Sequence, residues 1–402
     1  MEEILGMTVS KKLFLITEFH SSSQNSTGYL IEKLNKALLD QKDFKTVLLT
    51  KKDESVTIQP NAIYVQQSDY NKNRLISRIW HELSLNSKFL IKSIQNISKD
   101  DLVITGTNPT FLLFIIFLLK KYIKFDWILL VHDVFPENLV ASKTLSKDSL
   151  AYNFLKVAFD KIYASPNRVI TIGKDMQQLI NKKAKRNDAE VVPNWIDVKD
   201  IEVESKYDNQ ILKQLGLNNN NKVVFSFFGN IGRVQGLENL IEAINHMKEL
   251  ENAKFVFMGD GAYVERLKSV ISELGKENII YYGKVEQQQK SLGLNACDIS
   301  IVTLTDGMLG LGVPSKAYYS MAADKPLFCI MDKESEIYTM VDENNMGWVV
   351  EPKNIQEVAQ TLDQAVKEFN NNNFNSPRKI LIEKYSDTKS IDKLISIVRS
   401  YI

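Results

Sequence analysis

The stretch VVFSFFGNIGRVQG (Val223–Gly236) decides the fold. An apolar, β-favouring run of Val223, Val224, Phe225, Phe227 and Phe228 stops at Gly229, Gly232 and Gly236. A helix-like segment then runs from Leu237 to Leu250. The order strand, glycine loop, helix start lets backbone N–H groups approach an anion closely, and the helix dipole adds positive potential. The loop has neither the Gly-Lys-Ser/Thr ending of a nucleotide-hydrolase phosphate loop nor the Gly-x-Gly-x-x-Gly of a dinucleotide fold. Glycine spacing alone equally fits a tight turn that binds nothing. A second turn about 80 residues on, Gly310-Leu311-Gly312-Val313-Pro314-Ser315-Lys316, precedes another helix and favours the phosphate.

Outward from this stretch, short apolar runs alternate with helix-period segments, the rhythm of parallel α/β units. Strands are expected at Lys12–Thr17, Thr46–Thr50, Leu102–Thr105, Trp127–His132 and Arg168–Ile172 in the first half. In the second half they are expected at Val223–Phe228, Lys254–Met258, Ile279–Tyr282, Ile299–Thr303, Leu327–Met331 and Gly347–Val350. The clearest helices of the first half are Gly28–Leu39, Pro109–Tyr122 and Lys174–Lys183, and Ile391–Ile402 is a last amphipathic helix. Pro193-Asn194-Trp195 and the asparagines of Asn218–Asn221 mark a boundary near 190–222. Two doubly wound halves place a ligand in the cleft at the C-terminal ends of their strands.

A chain of 402 residues exceeds one ordinary core, so two or three domains are expected. Net charge is +1, yet residues 1–200 carry 28 Lys+Arg against 22 Asp+Glu, and the remainder 22 against 27. A basic first half suits a surface that meets anions, although the excess is modest. Two cysteines, Cys297 and Cys329, predict a reducing compartment and no disulfide framework. The first residues lack a secretory pattern, and the longest apolar stretch, Phe111–Leu119, is too short to span a bilayer. The expected location is cytoplasmic, with any membrane contact peripheral.

Seven pieces in order give the chain a family likeness. They are Ser26-Thr27-Gly28-Tyr29-Leu30, Thr105–Thr110, Val131-His132-Asp133-Val134-Phe135-Pro136-Glu137, Val192-Pro193-Asn194-Trp195, Gly229-Asn230-Ile231-Gly232-Arg233, Met258-Gly259-Asp260-Gly261 and Val313-Pro314-Ser315-Lys316. Together they resemble the retaining family 4 glycosyltransferases of GT-B fold, in particular the fucosaminyltransferase-like subgroup that builds bacterial O-antigens, capsules and exopolysaccharides. The resemblance implies an α/β chain of two facing Rossmann-like domains. Residues 1–200 would bind the acceptor and 201–385 the nucleotide-sugar, with 386–402 a helix returning to the first domain. It implies a UDP- or GDP-linked donor, no cofactor, no metal and retention of anomeric configuration. The expected partners are a lipid-linked glycan acceptor and the inner face of the cytoplasmic membrane, with no nucleic acid; a partner glycosyltransferase belongs to the second hypothesis below.

Breaking a sugar–diphosphate bond develops negative charge on the leaving phosphate, which donors already in place must stabilise. Gly229, Asn230, Gly232 and Arg233 in the first loop, and Gly312, Val313, Pro314, Ser315 and Lys316 in the second, supply amides and two cations. The plainer reading of each cation is a solvated surface charge. Asp260 and Gly261 follow a strand, where turn chemistry explains them without a ligand; the resemblance sets them near the nucleotide and Val285 near the base. His132 and Asp133 end a strand at the cleft, to contact the donor sugar and the acceptor, unless they serve as local caps. Gly28, with Ser26 and Thr27, would meet the phosphates on closure or belong to an N-cap.

Some residues depart from the family pattern. The usual Arg and Lys of the first loop align with Asn230 and Gln235, and the usual two glutamates with Leu311 and Tyr319. Asp324 stands where a helix end usually has glycine. Tyr319 offers the ribose one hydroxyl and no carboxylate. These departures motivate a second hypothesis, a non-catalytic GT-B subunit that binds a partner transferase or a glycan. A nucleotide-sugar epimerase lacks a convincing acid–base set. Asn71–Gln95 interleaves Lys72, Arg74, Arg78, Lys88 and Lys92 with Trp80, Leu83, Leu85, Phe89 and Leu90. It reads as a basic membrane-surface helix or as a solvated face over a buried stripe. Scattered histidines disfavour zinc, and no Gly-x-Ser-x-Gly marks a serine hydrolase.

Overall fold

A computed structural model describes residues 11–66, 75–371 and 373–401, and of 75–82 the backbone only. The first half forms a seven-stranded parallel sheet. Its strands are β1 (Lys12–Thr17), β2 (Lys45–Lys51), β3 (Ala62–Val65), β4 (Leu102–Thr105), β5 (Asp126–Val131), β6 (Arg168–Thr171) and β7 (Glu190–Val191), in the order β3-β2-β1-β4-β5-β6-β7. A second parallel sheet contains β8 (Val223–Phe228), β9 (Ala253–Met258), β10 (Ile279–Gly283), β11 (Ile299–Thr303), β12 (Leu327–Ile330) and β13 (Gly347–Val350), in the order β10-β9-β8-β11-β12-β13. The chain is thus α/β with two Rossmann-like domains. Its central strands are buried nearly end to end, as parallel strands covered on both faces must be, which is why they read as unbroken apolar runs.

Between the first strands run α1 (Ser26–Leu39), α2 (Leu75–Asn96), α3 (Leu112–Ile123), α4 (Glu137–Ala141), α5 (Leu150–Ala164) and α6 (Lys174–Ala184). The second half holds α7 (Gln210–Gln214), α8 (Leu237–Asn245), α9 (Val264–Leu274), α10 (Lys290–Leu294), α11 (Lys316–Ala322), α12 (Glu336–Glu343), α13 (Ile355–Glu368), α14 (Pro377–Lys384) and α15 (Asp387–Arg399). Helices α2, α3, α5 and α6 pack side by side in that order, while α15 lies against α1. Lys393 Nζ of α15 donates to Val191 O at 2.9 Å, and Arg399 pairs with Asp43.

Every strand expected from sequence is present within two residues of its bounds. The sequence reading missed β3 and β7, short edge strands of four and two residues that are mostly half-buried; the apolar run of β3, Ala62–Val65, is only four residues long, and β7 has none. Strand β5 ends at Val131, so His132 lies past the ladder instead of closing it. The expected loop at Ser26–Gly28 is the first turn of α1, capped by Asn25, whose side chain accepts from Gly28 N at 2.8 Å. In the basic segment, Lys72 and Arg74 lie outside the described residues, as do the side chains of Arg78 and Trp80. Further along α2, Leu85 and Phe89 enter the core while Leu83 is exposed.

Two crossings join the domains. The outgoing segment pairs Ile196 with Ser386 of the returning one. Arg378 of α14 donates to the carbonyls of Val198 and Ile201 at 2.8 and 3.0 Å, and to that of Ala322. Asp324, standing where glycine is usual, adopts a left-handed φ of 56°. Its carboxylate accepts from Ser376 Oγ at 2.6 Å and Arg378 N at 3.1 Å, so the departure fastens the start of α14.

Candidate active site

Strand order reverses between β1 and β4 in the first sheet and between β8 and β11 in the second. Crevices for ligands open at such switch points. A cavity of about 520 Å³ lies there, walled by loops from both domains. From the first domain come Asn25, Ser26, His132 and Asp133. From the second come Gly229, Asn230, Asp260, Val285, Tyr319 and the run Gly312–Lys316.

The floor is two glycine strand ends packed backbone to backbone. Gly229 N donates to Met258 O at 3.0 Å, and Ile231 N to Asp260 O at 2.8 Å. Gly259 has φ of +143°, and a Cβ there would stand 1.8 Å from Gly229 O. At Gly261 it would stand 2.4 Å from Ile231 O. These glycines let the two loops touch, whereas Gly229 has open space on the side where a Cβ would project. Gly259→Ala is expected to cost about 1–3 kcal/mol of overpacking, read as a lower urea midpoint. Gly275→Ala, whose Cβ meets open space, is the control for left-handed backbone alone. Equal midpoints for the two variants would show that the loops can separate freely.

Three lysines line the cavity; Lys284 is exposed at its edge and pairs with Glu286 at 3.4 Å, and the other two lie deeper. Lys316, the first residue of α11, donates through Nζ to Gln235 Oε1 and lies 3.7 Å from the Phe227 ring centroid. Burial holds its pKa well below the usual lysine range. Gln235 is the position where the resembling family carries its lysine, so the cation reaches the same spot from the second turn. Lys290, the first residue of α10, sits 3.2 Å from the Tyr319 ring centroid. Burial lowers its pKa to about 7, against a raising influence from Asp200. Tyr319 packs edge-on against Tyr29 at 6.3 Å and, with Lys290, separates the main cavity from a neighbouring one of about 310 Å³.

Thr107 organises the opposite wall. Its Oγ1 accepts from the backbone N–H of both His132 and Asp133 at 3.2 Å. Asp133 Oδ1 accepts from Asn138 Nδ2 at 3.0 Å, and burial outweighs its hydrogen bonds to Asn108 and Asn138 to raise its pKa. Burial lowers His132 to about 4, so the imidazole is neutral near pH 7 and offers one donor and one acceptor. Asp133 also pairs through its backbone with Gly312, and Val134 N donates to Leu311 O at 3.0 Å. Asp175 Oδ2 accepts from Gly310 N at 3.1 Å. The second glycine turn is therefore pinned to the first domain from two sides, with Leu311 buried between them. Glu137 turns away to an ion pair with Lys183 at 2.6 Å.

Four expected site residues do not line this cavity. Gly28 faces the Ser21 backbone, where a Cβ would stand 2.1 Å from Ser21 O. Gly232 caps a 3-10 turn over Arg233–Gln235, which carries Arg233 into solvent. Gly261 is spent on packing against Ile231. The sequence reading missed Asn25 and Lys290. A helix-capping asparagine next to the Ser26–Gly28 piece could have been found. A lysine closing the polar run Gln287–Gln289 carries no pattern. Among the described residues no group of three or more His, Cys, Asp or Glu stands close enough to hold a metal ion.

Residues 208–384 match the family model for glycosyl transferases group 1. The chain is 38% identical over 396 residues to the probable glycosyltransferase WbjE of Pseudomonas aeruginosa, covering 96% of this chain and 98% of that protein. It is 25% identical over 203 residues to the putative colanic acid biosynthesis glycosyl transferase WcaI of Escherichia coli, covering 50% of this chain and 49% of that one. Among solved structures, HepE of Anabaena in complex with UDP and glucose aligns with a TM-score of 0.72 at 14% identity, over 97% of this chain and 100% of that one. Sucrose-phosphate synthase of Thermosynechococcus elongatus gives 0.73 at 14% identity, over 97% and 98%. At such identity these structures speak for the GT-B fold alone. The match to WbjE along nearly the whole of both chains goes further, and places this chain among the group 1 glycosyltransferases.

Proposed function

We propose that this transferase is retaining and metal-independent. It would move a hexosyl or N-acetylhexosaminyl unit from a UDP- or GDP-linked donor to a lipid-linked or growing surface glycan at the inner face of the cytoplasmic membrane. The observation that carries the reading is the convergence of Gly229, Lys316 and Asp133 on one cavity from two domains. The relatives' names add support, since one is a colanic acid biosynthesis transferase. Lys316, Lys290 and the loop amides offset the charge that grows on the leaving diphosphate. The bond from the anomeric carbon to the phosphate oxygen breaks and a bond to the acceptor oxygen forms on the same face. The acceptor proton passes to the leaving phosphate oxygen, so no protein base is required. Neutral His132 hydrogen-bonds the sugar, and Asp133 orients the acceptor hydroxyl. Closure of the two domains excludes water.

Transfer in excess chelator, followed by NMR of the new anomeric centre, tests the proposal. Activity lost with chelator and restored by a divalent ion overturns the metal-independent reading, and an inverted centre overturns retention. Asp133→Asn is expected to lower kcat about tenfold with little change in donor affinity. A change confined to donor affinity would remove Asp133 from the acceptor side. The non-catalytic subunit remains the second reading because Leu311 and Tyr319 occupy the glutamate positions. Nucleotide-sugar binding without transfer or hydrolysis across a broad acceptor panel would favour it.

A further inference from the structure

Three neighbouring helices of the first domain turn apolar side chains outward, and we propose that this face docks the protein on an anionic lipid bilayer. On α3 and its cap the exposed residues are Phe111, Leu118 and Tyr122, the last 83% exposed. On α5 they are Leu150, Phe154 and Val157, the first two 87% and 74% exposed. On α2 they are Leu83, Ile91 and Ile94. Each set recurs at helical spacing and forms an outer stripe. The stripes are not core left over from poor packing. The opposite sides of the same helices bury Phe89, Ile116 and Phe159 against the sheet. Helix α3 packs against both α2 and α5, so the stripes lie side by side. Apolar exposure of this extent on one face marks an interaction surface.

Charge selects the occupant. Lys121 and Lys124 stand at the end of the α3 stripe, Lys147 just before the α5 stripe and Lys161 at its far end, all exposed. Helix α3 has no acidic residue, the one on α5, Asp160, pairs with Lys156 and Lys183 at 2.5 and 2.8 Å, and exposed Asp148 offsets Lys147, so the excess of positive charge rests on Lys121, Lys124 and Lys161. Two copies of so basic a face would repel each other, whereas anionic headgroups complement it. Aliphatic and aromatic side chains rimmed by lysine also suit the headgroup boundary, where lysine stems lie along the apolar zone. Phe111 closely follows Thr107 and Asn108, which bond the His132–Asp133 wall. The apolar face therefore begins beside the cavity, where an acceptor still anchored in the bilayer would present its glycan. The basic segment Asn71–Gln95 does not make this surface alone, because Leu85 and Phe89 of α2 point into the core.

This inference deepens the lipid-linked-acceptor reading. Vesicle binding is measured without acceptor or transfer, so either can fail alone. The full chain should co-sediment with phosphatidylcholine vesicles containing phosphatidylglycerol, and not with phosphatidylcholine alone. Combining Lys121→Glu, Lys124→Glu and Lys147→Glu should lower partitioning by about a hundredfold, since each basic residue near the surface contributes roughly fivefold. Phe111→Ser with Phe154→Ser should lower it by about tenfold or more. Melting temperature and nucleotide-sugar binding should stay at wild-type values in both variants. Unchanged sedimentation of both overturns the proposal. So does absence of vesicle binding together with a wild-type dimer that Phe154→Ser dissociates, an outcome that assigns the face to a second copy.

Discussion

Replacing Lys316 with methionine is expected to lower kcat/KM for the nucleotide-sugar by roughly 10- to 150-fold, the worth of about 1.5–3 kcal/mol for a hydrogen bond to a charged group. Lys316 Nζ is held by Gln235 on one side and the Phe227 ring on the other, and it lines the cavity that Gly229 and Gly312 also line. No carboxylate contributes to its shift. The amine is thus desolvated with no carboxylate against it, and an arriving diphosphate would favour its ammonium form. Methionine keeps the length and apolar stem while removing the charge, so the fold should persist. Gln235→Ala is the companion: it frees the ammonium and should cost less than the loss of the lysine itself. Steady-state kinetics of both variants decide the matter. Wild-type kcat/KM in Lys316→Met would take the second turn out of the donor site.

Donor affinity is expected to weaken as pH rises through neutrality, because Lys290 has a pKa lowered to about 7 by burial. A diphosphate prefers the ammonium, so above that pH the free site must first take up a proton. The apparent dissociation constant should then climb by up to about tenfold per pH unit until the bound-state pKa is reached. Lys290→Met should take one proton out of that slope and weaken binding most on the acid side. Stability moves the opposite way. Over the window from about 7 to the ordinary lysine value near 10.4, the unfolded chain holds a proton that the folded chain does not. The Lys290 contribution to stability therefore rises with pH across that window. Calorimetric titration with a nucleotide-sugar between about pH 6 and 9 checks the binding arm. A flat profile in the wild type would place Lys290 away from the diphosphate.

How much of this was legible from the sequence depends on what each residue answers to. Strands β4, β5, β8 and β11 are buried on both faces, and that demand writes itself as an apolar run. The edge strands β3 and β7 face no such demand: β3 left an apolar run of only four residues, and β7 left none. Gly229 and Lys316, which line the cavity, were singled out because strand-end glycines and a second turn repeat a local pattern. Arg233 was expected on the phosphate because it sits among those glycines. Its direction is set instead by the 3-10 turn between Gly232 and Gly236, a left-handed residue with φ of 62°. Lys290 reaches the cavity through the path of the chain after β10, and nothing in the residues around it announces that path. Leu311 and Tyr319 were recognised as departures, but the buried seat of Leu311 against the first domain depends on contacts far apart in sequence.

The returning helix α15 also sets an order of assembly. Its 13 residues bury Leu394, Ile395, Ile397 and Val398, and it packs on α1, an element of the first sheet. A ribosome delivers α1 before α15, with the whole second domain between them. At about 5–20 residues per second, the patch that α15 will cover waits roughly 20–70 s for its lid. The first domain therefore emerges with one apolar surface open for that interval, a surface on which a holding chaperone has time to act. Truncation just before α15 would leave that patch bare for good, so a chain lacking so small a tail should aggregate far more than its missing mass suggests.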